Sequence, residues 1–383
     1  MARPVSGRAF RGLCWAAALA CGGCGSHESP DRIHPQPGLV VADLAPTAEV
    51  SIAGERPGGA ASDSLLQFYG GDALEVTIGA MEAPQEEVFG EIAQVAFTGD
   101  RVVILDSKAA EARIFDLEGE LVEVIGRPGR GPGDFASPRA LAVNSAGRLY
   151  IGDLVRRIQV FRPGREGYEL ERVIQTGVSP VSLCLLGGTI VVQGVNLGDS
   201  VTIRTYDLDG APRAAFGQVY RSTSAIINHT LSQGLIGCDP ATNTIVFAPD
   251  GGIGEVRGYD PDGTLRWRTA ITDYLPVTVI EQPDEGLGVR TPAGGHHFVA
   301  SLVELGQGRT MIQVAFVTRE SQRQGRPFAT LHTIVLENRS GTAAARGDGL
   351  GQVVAVDGRR FAIVEELPYP RVAIGRAGRA DPE

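Results

Sequence analysis

Short runs rich in β-branched residues recur along this chain at a spacing that few architectures can use. Arg101 to Asp106, Arg148 to Asp153, Thr189 to Val192, Thr244 to Phe247, Met311 to Val314 and Arg360 to Val364 each read as a buried strand. With Val102, Leu149, Ile190, Ile245, Ile312 and Phe361 as markers, the successive steps are 47, 41, 55, 67 and 49 residues. A four-stranded propeller blade consumes about 40–50 residues. The five steps therefore predict an all-β, six-bladed β-propeller. The longest step contains the Pro- and Gly-rich segment Asp273 to Gly295, which reads as an inserted loop over one face and as the best-placed binding segment.

Turn chemistry repeats with the strands. Phe115-Asp116-Leu117-Glu118-Gly119, Tyr206-Asp207-Leu208-Asp209-Gly210 and Tyr259-Asp260-Pro261-Asp262-Gly263 share the pattern aromatic-Asp-x-acid-Gly. The aspartate accepts backbone amides within a turn, and the glycine takes the positive φ that a hairpin bulge requires. The second blade keeps Phe161 but continues with Arg162-Pro163-Gly164. The last blade is one strand short, with Gln352 to Val356, Arg360 to Glu365 and Arg371 to Ile374 before the chain ends. Leu74 to Ile78 is expected to supply the fourth strand, so that the N-terminal part of the domain closes the last blade and removes its open edge.

Composition agrees with many short strands and tight turns: 51 glycines and 23 prolines are spread along 383 residues. A net charge of −10 argues against a nucleic-acid partner, which needs a basic surface.

The N-terminus reads as an export signal over residues 1–20. Arg3, Arg8 and Arg11 precede a short apolar segment, Leu13 to Ala20, that is too brief to anchor across a bilayer. Ala18-Leu19-Ala20-Cys21 resembles a bacterial lipobox, with Ala18 where leucine is usual. The resemblance implies lipidation of Cys21, with ordinary secretion or a retained segment as the alternatives. Gly22 follows the cysteine where an aspartate would favour inner-membrane retention, so outer-membrane anchoring is the preferred expectation. Residues 21–71 are expected to be a flexible tether, 72–376 the propeller and 377–383 a disordered tail. The domain would then stand in the periplasm or at the cell surface. With Cys21 acylated, Cys24, Cys184 and Cys238 remain. Cys184, within Ser182 to Leu186, reads as a small buried hydrophobe, and a Cys184–Cys238 disulfide is the lesser expectation.

Gly126-Arg127-Pro128-Gly129-Arg130-Gly131-Pro132-Gly133-Asp134-Phe135, followed by Pro138, Gly147 to Asp153 and Arg157 to Phe161, resembles an NHL repeat. It departs from that pattern at Arg156, where many such repeats carry asparagine. Residues 72–376 as a whole resemble the bacterial six-bladed β-propeller lipoproteins. Relatives of that kind range from protein- and RNA-binding modules to metal-dependent lyases and lactone hydrolases. The resemblance thus implies a fold and leaves the activity open.

Local chemistry is mostly architectural. Gly126 to Gly133 lacks the Gly-Lys-Ser/Thr and the following helix of a phosphate loop, and reads as an inter-blade crossover. The Asp-x-acid-Gly turns lack the extended ligand run of an EF-hand; no cofactor is expected, with a divalent ion such as calcium as the exception. The paired Asp106 and Asp153, and Arg113 and Arg157, occupy equivalent positions and read as architectural, with inter-blade polar contacts as the expected form. Among the histidines of the domain, His229 is the weak metal candidate, placed in a loop leading into the fourth blade. His296 and His297 begin a strand and point to opposite sides, and His332 lies in an alternating strand. No Gly-x-Ser-x-Gly nucleophile is present. The expected function is a membrane-anchored, monomeric binding module for a protein or a small polar ligand. The alternative is a metal-dependent hydrolase or lyase acting in the central channel.

Overall fold

The computed structural model describes residues 46–52, 73–81, 88–282 and 286–377. The expected signal peptide, Cys21 and most of the tether lie outside them. β1 (Ala48–Val50) and β2 (Leu74–Ile78) come first. Blade one is β3–β6: Ile92–Thr98, Arg101–Asp106, Glu111–Asp116 and Leu121–Ile125. Blade two is β7–β10: Pro138–Val143, Leu149–Asp153, Arg157–Pro163 and Tyr168–Gln175. Blade three is β11–β14: Ser182–Leu186, Thr189–Gln193, Val201–Asp207 and Pro212–Gln218. Helix α1 (Ala225–Leu231) precedes blade four, β15–β18: Gly234–Asp239, Thr244–Pro249, Glu255–Tyr259 and Leu265–Ile271. A hairpin, β19 (Thr278–Gln282) and β20 (Gly286–Arg290), then leads to blade five. That blade is β21–β24: His296–Gly306, Arg309–Val317, Thr330–Glu337 and Ala343–Asp348, with α2 (Arg319–Arg323) between its second and third strands. Blade six is β25 (Gln352–Asp357), β26 (Arg360–Glu365), β27 (Arg371–Arg376) and β2.

The protein is a six-bladed β-propeller. Each blade is an antiparallel meander, and the first strands β3, β7, β11, β15, β21 and β25 neighbour one another around the centre. All six sequence markers lie on second strands, so the repeat read from the sequence is the blade repeat. β2 pairs antiparallel with β27, with Val76 opposite Ile374 and Ile78 opposite Val372, and completes blade six. Ile78 is buried with Phe89, Val372 and Ile374, which ties the closing strand to the seam between blades six and one.

The turns form as their residues dictate. The Asp116 carboxylate accepts the amides of Glu118 and Glu120 at 3.1 and 2.8 Å, and Asp207 does the same for Asp209 and Ala211 at 3.0 and 2.8 Å. Gly119, Gly210 and Gly263 have φ of 96°, 94° and 95°, a region open to glycine without a Cβ clash. Those turn carboxylates are thus engaged with backbone amides.

The paired acids and arginines are architectural, but they act within a blade rather than between blades. Asp106 accepts the amides of Gly90 and Glu91 at 2.7 and 3.1 Å, and Asp153 those of Ala136 and Ser137 at 2.9 Å each. Arg113 donates to Val88 O and Arg157 to Arg130 O. These groups pin the connector entering a blade to that blade's second and third strands, rather than bridging neighbouring blades. A loop running over the strand ends would otherwise leave buried amides unpaired. Contacts between blades come from other residues: Gln94 accepts Leu141 N, Ser182 accepts Ile236 N, Gln313 accepts Val353 N, and Arg139 pairs with Glu91.

Three further expectations are revised. Cys184 and Cys238 form a disulfide, Cα to Cα 5.7 Å, joining the innermost strands of blades three and four. Register puts both residues on adjacent strands with side chains in the same seam, so Cys184 is a cross-link rather than a free apolar filler. Residues 46–52, expected within the flexible tether, pair in parallel with the outer strand of blade four, Val50 opposite Ile271. Val50 and Ile52 are buried with Trp267, Tyr274 and Ile334, apolar burial that a fluctuating tether would forgo. Ala377, assigned to the tail, is packed, its amide donating to Arg359 O at 2.7 Å.

Candidate functional site

In an up-and-down blade, the connections from strand two to three and from strand four to the next blade emerge on the same face. α1, the 272–295 insertion and α2 all occupy such connections, so the large additions to blades three to five share one face, called upper here. The insertion is a two-stranded hairpin rather than an irregular loop, with Val279 opposite Val289. α1 begins at Ser224, whose hydroxyl caps the Ile227 amide, and buries Ile227 and Leu231. Both pack with Tyr220 and Val279, so helix and hairpin cover the upper ends of blades three and four together.

His229, expected in a loop, lies in the last turn of α1; the Ser224 cap and two apolar residues four apart make that segment helical. Its Nε2 is 3.4 Å from Gln233 Nε2, and its Nδ1 is buried with no partner in the protein. Gln193, at the end of β12 and fully buried, donates from Nε2 to Ser232 O at 2.9 Å. The next residue, Gln233, accepts the Asp250 amide on its carbonyl at 3.1 Å. Asp250 O in turn accepts Val299 N at 2.9 Å. One continuous run of contacts thus links the tops of β12, α1, β16 and β21.

Tyr274 is brought to Asp250 by the insertion. A Cβ at Gly254 would stand 2.3 Å from Tyr274 Cβ, so glycine is what allows that close approach. Tyr274 stacks near His297, ring centroids 5.5 Å apart, and its buried hydroxyl has no partner in the protein. Burial pushes the Asp250 carboxyl up to about 7, and burial with the nearby Asp250 charge raises the Tyr274 phenol.

The two strand-opening histidines diverge as their alternation predicts. His297 accepts the Leu275 amide on Nδ1 at 2.9 Å and donates its own amide to Leu275 O at 2.7 Å. It is therefore the Nε2–H tautomer, locked between Tyr274, Phe316 and His332, and burial lowers it to about 4. His296 is buried, lowered by burial, and its Nε2 has no partner in the protein. His332 pairs through Nδ1 with Asp348 at 2.7 Å.

Five buried polar atoms without protein partners fall in this region: Gln193 Oε1, His229 Nδ1, Gln233 Oε1, Tyr274 Oη and His296 Nε2. Buried polar atoms are rarely left unpaired, because each costs about 1–3 kcal/mol. Among the described residues no three His, Cys, Asp or Glu side chains gather as metal ligands, and His229 stands beside an amide instead of carboxylates. Of this group, sequence reading singled out the histidines and the insertion. Gln193, Gln233, Asp250 and Tyr274 carry no local signature and become neighbours only through the fold.

A family model described as a 6-bladed beta-propeller matches residues 67–188, the closing strand through the start of blade three. A protein from Bacteroides fragilis described as exported is similar in structure, at 10% identity and TM-score 0.53, over 80% of this chain and 96% of that one. A member of a family of unknown function from Bacteroides vulgatus is similar at 9% identity and TM-score 0.50, over 79% and 98% of the two chains. At such identities the likeness is one of fold. No curated protein matches the sequence.

Proposed function

We propose that this chain is an extracytoplasmic binding module that engages a small polar ligand on its upper face, at blades three to five. The observation that carries this reading is the concentration of five unpartnered buried polar atoms beneath the helix and hairpin of that face. A scaffold that needed only to close a ring would have no reason to place them there. Convergent polar groups in an otherwise apolar setting are the usual make-up of a ligand site. The export signal, the lipobox-like Cys21 and the NHL-like repeat of blade two belong to the same account: a lipid-anchored propeller of the cell envelope. Similarity in fold to an exported protein supports that address.

The test is a thermal-shift screen of the full chain against a panel of sugars, amino acids, amines and nucleosides, repeated on Gln193→Ala and Tyr274→Phe. A compound that raises the melting temperature of the native chain but not of either variant supports the site. Stabilisation equal in all three proteins places binding elsewhere and refutes it.

A further inference from the structure

We infer that the ligand of this site carries an ammonium group, received by the Asp250 carboxylate with the Gln193 and Gln233 amide oxygens and the Tyr274 hydroxyl beside it. This rests on the binding-module reading and specifies its ligand class. The site is rich in acceptors. Gln193 spends its amide nitrogen on Ser232 O, and the Gln233 nitrogen faces His229, so each presents Oε1. Among the described residues no arginine, lysine or hydrogen-bond donor of another residue meets the Asp250 carboxyl. Tyr274, from the insertion, is the titratable group that feels the Asp250 charge. Across the blade, Glu255 on β17 is already paired with Arg257 and Arg268.

A partner for this arrangement has to bring hydrogen-bond donors and a positive charge. An ammonium group has three donors and no acceptor, which matches a carboxylate flanked by amide oxygens. The chain's net charge of −10 favours the approach of cations over anions. Because burial holds the free carboxyl near pH 7, ammonium binding displaces a proton below that pH. Affinity then falls about tenfold per unit as pH drops below 7.

The experiment uses the full chain and the side-chain amide NMR signals of Gln193 and Gln233. Ethanolamine and cadaverine are titrated in parallel with their uncharged counterparts, ethylene glycol and 1,5-pentanediol. The amines should move these signals with a dissociation constant at least tenfold below that of the diols, and Asp250→Asn should erase the difference. A melt of that isosteric variant verifies folding. The loss of amine affinity by the native chain between pH 7 and 5 provides a variant-free reading. Equal response to amines and diols overturns the ammonium assignment while leaving a neutral-ligand module standing. Silence of both signals to every probe, together with failure of the panel screen, overturns both.

Discussion

Removing the Cys184–Cys238 bond should lower the stability of the propeller by a calculable amount. The bond spans 54 residues and encloses most of blade three together with α1. In the chain-entropy account, closing a loop of that length in the unfolded state is worth about 4 kcal/mol at 25 °C. Unfolding entropy is roughly 2.1 cal/mol/K per residue, or about 0.6 kcal/mol/K for a domain of ~300 residues, so the melting temperature should fall by about 6–7 °C. The double variant Cys184→Ala/Cys238→Ala is the proper perturbation. A single substitution leaves a thiol that can cross-link elsewhere, and alanine keeps the seam with Ile236 and Phe247 apolar. The assay is calorimetry of native and variant proteins made in an oxidising compartment. Alkylation of the unfolded, unreduced protein should leave Cys184 and Cys238 unlabelled. Labelling of Cys184 and Cys238, or melts that coincide within a degree, would refute both the cross-link and the energetic reasoning.

Three other outcomes are expected. Glu304 sits with Thr310 and Asn338 at the seam of blades four and five, and burial pushes its carboxyl up to about 8, well above its unfolded value. The folded state therefore holds the proton over the window from roughly pH 4.5 to 8, and stability declines as pH rises through it. Glu304→Gln should leave the melt near pH 5 almost unchanged and raise it at pH 9, whereas a variant with the native pH profile would sink this account. Ile52→Ala, removing a 5% exposed side chain from the blade four seam, should cost about 2–4 kcal/mol in urea unfolding; a cost under ~0.5 kcal/mol would mean that residues 46–52 do not hold their place. Deleting residues 73–80 opens blade six and should lower the melting temperature by about 10 °C or more; an unchanged melt would contradict closure by β2.

The ring was legible because each blade repeats a local rule. Second strands such as Val102–Leu105 and Leu149–Ile151 are buried on both faces, so they read as unbroken apolar runs. Asp116 and Asp207 satisfy amides two and four residues onward, and such local bonds leave a local signature. Closure by Leu74 to Ile78 followed from counting strands. The parallel addition of Ala48–Val50 did not, since three residues in a stretch rich in Gly, Ser and Pro give no periodicity. The Cys184–Cys238 pairing was equally hidden, because it depends on the register between two blades rather than on spacing.

The candidate site was hidden for a different reason, and that reason bears on what it does. The position four residues past the second-strand marker carries Asp106 and Asp153 in blades one and two, but Gly194 in blade three and Pro249 in blade four. Those aspartates spend their oxygens on connector amides, whereas Gln193 gives its nitrogen to Ser232 O and keeps an oxygen unspent. In blade four Asp250 follows the last residue of the second strand, and its carboxyl pins no connector. The architectural carboxylate is thus missing from blades three and four, on either side of α1, which enters blade four, while the hairpin enters blade five. Insertions that took over the work of holding the connectors would make that carboxylate dispensable and leave Gln193 and Asp250 to a ligand. Site and insertions therefore belong to one departure from the blade repeat, and a reading tuned to repetition finds the scaffold and passes over the place where it is broken.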